Sequence, residues 1–331
     1  MSRMRRETIE SIIDALQNDR VPEVSAEDIP CFSSTASQGN PHVSPEALQQ
    51  AMRSWGRGDV PTFQRALRAM DEGDLAWLGF KTVFNADAAQ ANVDNEVTKK
   101  YGDVGSADGD DLVFFCNDAK EIVASRPYSP RDAFQMKDVT RGPAMHNEQF
   151  DGLNWCSVPL FDAVKVWLLG ASDAASEVAA LAHHVGFEVV AVDYDPAYLN
   201  EMRFPDARRV LIDSFDELDE IDADPSDYVC VLTRGHMFDP QGCLWAARND
   251  VHYVGMMGCA GKNSTVHDLC VRKGMTESQW DGIKRPIGLK FGAKTPAELA
   301  ISIVAELVDI RYRQRYSEQA RTAHEVDLGR H

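Results

Sequence analysis

Five short apolar runs, each followed by a stretch of different character, fill the second half of this 331-residue chain. They are KVWLLG (Lys165 to Gly170), FEVVAVD (Phe187 to Asp193), ARRVLID (Ala207 to Asp213), DYVCVLT (Asp227 to Thr233) and HYVGMMG (His252 to Gly258). Near-continuous apolar runs suit strands covered on both faces, and strands alternating with helices give a parallel sheet. Right-handed crossovers then lead to a Rossmann-like α/β domain with helices on both faces. Ser172 to Gly186 is alanine-rich, has helical spacing and stops at a glycine suited to a C-cap. Pro240 to Asn249 and Ala260 to Lys273 are also helical in character. A last helix, from Pro296 to Arg313, sets Leu299, Ile303, Leu307 and Ile310 on one packed face.

The first half reads as a smaller α+β domain. MSRMRRETIESIIDALQ is an amphipathic helix (Ile9, Ile12, Ile13, Leu16) rather than a signal peptide. Residues 44–72 are helical in pattern, and Ala76 to Phe84 and Asp111 to Cys116 are strand-like. Lys100 to Asp111 is a loop rich in glycine and aspartate. Glu121 to Pro130, and the region on through Trp155, reads as a link to the second half. The expected division is residues 1–150, then a Rossmann-like domain over 160–315, then a polar tail over 316–331.

The net charge of −18, from 52 acidic and 34 basic residues, argues against a nucleic-acid partner, whose phosphates it would repel. It leaves room for a small anion held by local NH groups and cations. No apolar run approaches the roughly 18 residues of a membrane span. Seven scattered cysteines, with neither CxxC pairs nor zinc spacing, suggest reduced thiols in the cytoplasm and no metal site.

Four segments carry candidate chemistry. GASDAA (Gly170 to Ala175) occupies the place of a dinucleotide fingerprint, but Ser172 replaces the second glycine. Asp193 ends the next strand, where a ribose-binding acid belongs, or alternatively caps a helix. TRGHMFD (Thr233 to Asp239) follows the fourth strand. Arg234 beside Gly235 offers a fork for phosphate or carboxylate, and His236 a hydrogen bond or a mobile proton. Asp239 is the expected N-cap of the helix that follows. GMMGCAGK (Gly255 to Lys262) resembles an anion-binding turn that opens a helix, with Gly258 in the turn and Lys262 as a point charge. There Cys259 is either a thiol favoured as thiolate or a small buried residue. In PIGLKFGAKTPAE, Thr295, Pro296 and Glu298 form a capping box. Glu306, in an apolar helix, is either paired or at a subunit contact.

Together these segments resemble the XdhC/CoxI family, accessory proteins of molybdenum hydroxylases such as xanthine dehydrogenase. The resemblance covers residues 164–313 and rests on TRGHMFD, YVGMMG with Lys262, and RPIGLKFGAKTPAELAISIVAELV. It implies a protein that binds molybdenum cofactor (molybdopterin), holds it during sulfuration by a cysteine-desulfurase-like partner, and delivers it to the apo-enzyme of a molybdenum hydroxylase. A homodimer is expected. The family's GS-x-P-R turn and GG-C-x-E segment are missing; Thr82 to Gln90 and Tyr101 to Asp111 stand nearest by position. Cys259 stands where the family more often has serine. Two other readings are open: an NAD(P)-dependent oxidoreductase using the Rossmann domain and His236, and a scaffold bridging hydroxylase and desulfurase.

Overall fold

The structure, a computed structural model, describes residues 3–30, 45–83, 112–139, 144–148, 153–258 and 260–315. The chain divides into two compact units between Asp162 and Ala163.

The first unit contains helices α1 (Arg6–Gln17), α2 (Pro45–Ser54), α3 (Val60–Glu72) and α4 (Pro130–Lys137). Its strands are β1 (Ala76–Val83), β2 (Leu112–Asn117), β3 (Ile122–Ala124), β4 (Ala144–Glu148) and β5 (Leu153–Pro159). They form one sheet in the order β3-β2-β1-β5-β4, antiparallel at every pairing. Side chains alternate across β1. Leu78 and Phe80 pack with Ile9, Ile12, Leu16 and Phe63 on one face, while Trp77 packs with Phe114 and Trp155 on the other. The stretch expected to link the halves is structured instead. Ile122–Ala124 pairs with β2, Ser129 and Asp132 form a capping box that starts α4, and β5 lies beside β1. Polar Ser157 interrupts the apolar pattern of β5, but it is buried and its hydroxyl donates to the Val139 carbonyl at 2.9 Å. The loop expected at 100–111, and the family-motif analogues apart from Thr82 and Val83, lie outside the described residues.

The second unit has strands β6 (Lys165–Leu169), β7 (Glu188–Asp193), β8 (Arg208–Leu211), β9 (Tyr228–Val231) and β10 (Tyr253–Met256). Its helices are α5 (Asp173–His184), α6 (Asp239–Arg248), α7 (Ala260–Arg272), α8 (Glu277–Gly282) and α9 (Pro296–Arg315). The sheet is parallel throughout, in the order β10-β9-β6-β7-β8. The chain runs outward from β6 to β8 and then returns to build β9 and β10 on the other side. The switch point between β6 and β9 is where such sheets open a crevice. Val166, Leu168 and Val189 pack with Ile303 and Leu307 on one face. Trp167, Leu169 and Val229 pack with Trp245 and Cys270 on the other. The edge strand β8 is mostly exposed.

Glu306, the polar residue of the apolar helix, is paired. It is 5% exposed. Its carboxylate accepts from the Tyr253 hydroxyl, from Gly288 N at 2.9 Å, and from Lys284 Nζ at 3.0 Å. One side chain of α9 thereby holds β10 and the segment after α8. The expected capping box begins this helix: Glu298 accepts from Thr295 N at 3.0 Å and Thr295 Oγ1 from Glu298 N at 3.2 Å. Near its other end, Arg311 lies over the Phe187 ring at 4.1 Å.

Replacing Glu306 by Ala strands a phenol, an amide and an ammonium group around an apolar helix. We expect a loss of about 3 kcal/mol, read from urea unfolding. A second outcome concerns alkali. Burial pushes the Tyr228 phenol up to about 12 and raises the Tyr253 phenol as well, with Glu306 adding to the effect. Both ionise in the unfolded chain near pH 10. Their stabilisation is therefore intact below about pH 10 and is lost as pH rises from there towards the folded values. Urea midpoints measured across that range should fall.

Candidate functional site

The turns that follow β6, β7, β9 and β10 meet at the carboxyl edge of the parallel sheet. Asp193, the last residue of β7, is 1% exposed. Its carboxylate accepts from Ala171 N at 2.7 Å, from Asp195 N at 3.0 Å and from Arg234 Nη2 at 3.1 Å. It thus joins three turns rather than capping a helix, and it presents almost no surface to a ribose. Gly170 has φ +106, and a Cβ there would lie 2.6 Å from Thr233 Cα. The glycine is needed because the turns after β6 and β9 touch backbone to backbone. Ser172 is the N-cap of α5, its hydroxyl accepting from Ala175 N at 3.2 Å. Asp173 follows in the first turn and pairs with Arg203 at 2.7 Å.

Arg234 is engaged within the protein. Nη2 binds Asp193, Nη1 binds Asp195 at 3.3 Å, and the guanidinium lies 3.6 Å from the Tyr198 ring centroid. The fork expected to meet an anion already holds two carboxylates. Beyond it, Gly235 and His236 both adopt left-handed backbone, with φ +64 and +63. For His236 this conformation costs on the order of 1 kcal/mol. His236 Nδ1 is 2.8 Å from Asp239 Oδ2, and Thr233 Oγ1 donates to Asp239 Oδ1 at 2.5 Å. Asp239 is 1% exposed. It is the first residue of α6, whose N-cap is Phe238, and not the cap expected from sequence. Pro240 follows in the first turn, and the Asp239 carboxylate turns back to serve the Thr233–His236 turn.

The turn after β10 lies beside this one, with Met257 N donating to Val231 O at 3.0 Å. Gly255 leaves room for packing: a Cβ would sit 2.4 Å from Tyr253 Oη and 2.5 Å from Ile287. A Cβ on Gly258 would sit 2.5 Å from Asn263 Oδ1, a buried oxygen without a hydrogen-bond partner. Cys259 and the Lys262 side chain lie outside the described residues; position 262 is in the first turn of α7. The three helices that leave this edge differ in charge. Asp173 stands in the first turn of α5 and Asp239 in that of α6, whereas α7 has no acid there. Sequence reasoning missed Asp195, Tyr198 and Asn263. The alternation of Asp193 and Asp195 was the available signal for the first; none marked the others.

Residues 166–307 match the family model described as the XdhC Rossmann domain. A Bacillus subtilis protein named as a probable xanthine dehydrogenase subunit is 34% identical over 148 residues, covering 44% of this chain and 42% of its own length. The Escherichia coli uncharacterized protein YqeB is 25% identical over 146 residues, covering 44% of this chain and 27% of its own. The chain thus spans less than half the length of these curated relatives. A crystal structure of a xanthine dehydrogenase from Bacillus halodurans aligns with a TM-score of 0.43 at 17% identity, over 81% of this chain and 69% of that one.

Gly170→Ala tests the contact of the two turns. The added methyl meets backbone at a positive φ, so we expect a loss of about 2–4 kcal/mol in urea unfolding.

Proposed function

We propose that this chain is an accessory protein of a xanthine-dehydrogenase-type molybdenum hydroxylase. In this reading it binds molybdopterin as cargo and holds it while a cysteine-desulfurase-like partner supplies sulfur. It then delivers the cofactor to the apo-hydroxylase, and acts as a homodimer in the cytoplasm. The observation that carries the reading is the asymmetry of the crevice. The positive ends of α5 and α6 are answered by the chain's own acids, and α7 is left to meet an anion. Molybdopterin brings a phosphate. Glycines at 255 and 258 and the first turn of α7, with Lys262, suit it. The unpartnered Asn263 oxygen offers an acceptor to a ring N–H or a hydroxyl. The XdhC Rossmann match supports the same reading.

The alternative, an NAD(P)-dependent oxidoreductase, draws support from the strand order. It is less favoured, because the acid at the ribose position is buried and engaged by three donors.

Anaerobic purification followed by pterin and molybdenum analysis tests the proposal. The wild type should retain a pterin, and Lys262→Glu should retain about 10-fold less, or about 1.4 kcal/mol. Cys259→Ser with unchanged retention and sulfuration would assign the thiol no role. A protein free of pterin and molybdenum, whose fluorescence responds to NADPH, replaces this reading with the oxidoreductase.

A further inference from the structure

We propose that His236 and Asp239 form a proton-accepting dyad at the crevice, in which His236 Nε2 takes the proton of an acidic S–H or ring N–H on the bound molecule. Asp239 is the positioning residue. The inference rests on the molybdopterin reading, which supplies a ligand with such groups.

The geometry points this way in three steps. Asp239 is dry, 1% exposed, and stands in the first turn of α6, where the helix dipole favours its anion. Thr233 Oγ1 accepts from Phe238 N at 3.4 Å, so its own hydrogen is directed to Asp239 Oδ1. The other oxygen, Oδ2, lies 2.8 Å from His236 Nδ1. An ionised carboxylate only accepts, so the imidazole donates from Nδ1 and keeps its lone pair on Nε2. Second, the His236 side chain is 24% exposed against 1% for that of Asp239. The dyad is sealed behind and wet in front. Third, the left-handed backbone of Gly235 and His236 turns the chain back so that the imidazole meets the Asp239 carboxylate.

Proton uptake at Nε2 turns the hydrogen bond from Nδ1 to Asp239 Oδ2 into an ion pair with a buried carboxylate. The step is a proton transfer alone. The ligand's X–H bond breaks, its electron pair stays on X, and the proton ends on Nε2. Arg234, in the same turn, is bound to Asp193 and Asp195.

Long-range proton–nitrogen NMR of the wild-type protein reads the tautomer. The expected result is a protonated Nδ1 and a pyridine-like Nε2. A ring protonated on Nε2 overturns the inference and leaves the cofactor reading standing. The same NMR experiment on the complex with metal-free molybdopterin then follows the proton. In the wild type the His236 ring should become doubly protonated when the ligand binds, and a ring that stays neutral in the complex overturns the inference. His236→Asn keeps an amide donor facing Asp239 and has no base at Nε2, so it should bind about 10-fold more weakly; unchanged affinity overturns the inference. A wild type that binds no metal-free molybdopterin overturns the cofactor reading and removes the proton donor with it.

Discussion

A single buried carboxylate, Asp193, holds the working edge of the parallel sheet together. The strands β6 and β9 are paired up to Leu232 N, which donates to Leu169 O at 2.8 Å, and beyond that point their turns need other links. Asp193 reaches across from β7, fixing the first turn through Ala171 N and the second through Arg234. Its own turn is closed through Asp195 N. A carboxylate at 1% exposure is tolerable only with its oxygens served by donors, and here every donor belongs to a different stretch of chain. Glu306 plays a corresponding part beside β10, where it binds Tyr253, Lys284 and Gly288. Buried anions, not apolar packing alone, fix both sets of segments.

This use of carboxylates decides what remains for a ligand. Groups that would meet a dinucleotide are spent inside the protein: Ser172 caps its own helix, Asp193 bridges turns, and Arg234 is clamped between two acids and a tyrosine ring. The strand order of a nucleotide-binding fold therefore survives without the fold's usual contacts. Among the described residues of these turns, the His236 side chain keeps 24% of its surface exposed.

The sheet was legible in the sequence because doubly covered strands read as unbroken apolar runs. β6, β7 and β9 appear in the chain as they appear in the core. The capping residue Thr295 was legible for a related reason, since a cap acts within three residues of itself. β5 was hidden, because burial of Ser157 depends on a carbonyl 18 residues away. The role of Asp193 was hidden more deeply. Its partner Arg234 lies 41 residues along the chain, and no local pattern distinguishes a ribose acceptor from an internal bridge. Asp239 was misread as a cap for the same reason. A helix-opening Asp before Pro240 looks like a cap until the turn it serves is seen in space. Glu306 fared better, as a charge in an apolar stripe demands a partner whether or not the partner can be named.

The length of a sequence signature and the location of chemistry are separate matters here. The long segment from Arg285 to Val308 carries the longest stretch of the family resemblance, yet its residues mainly fit one another. Ile287 fills the space left by Gly255, Gly288 donates to Glu306, and Ser302 binds the Leu289 carbonyl at 2.7 Å. A substitution at any of these meets several fixed neighbours, and that alone is enough to constrain so long a stretch. The seven residues from Thr233 to Asp239 are constrained differently. Packing does not require a histidine in left-handed backbone, nor a buried acid turned towards it. The shorter motif is therefore where strain and buried charge coincide, and where chemistry is to be sought.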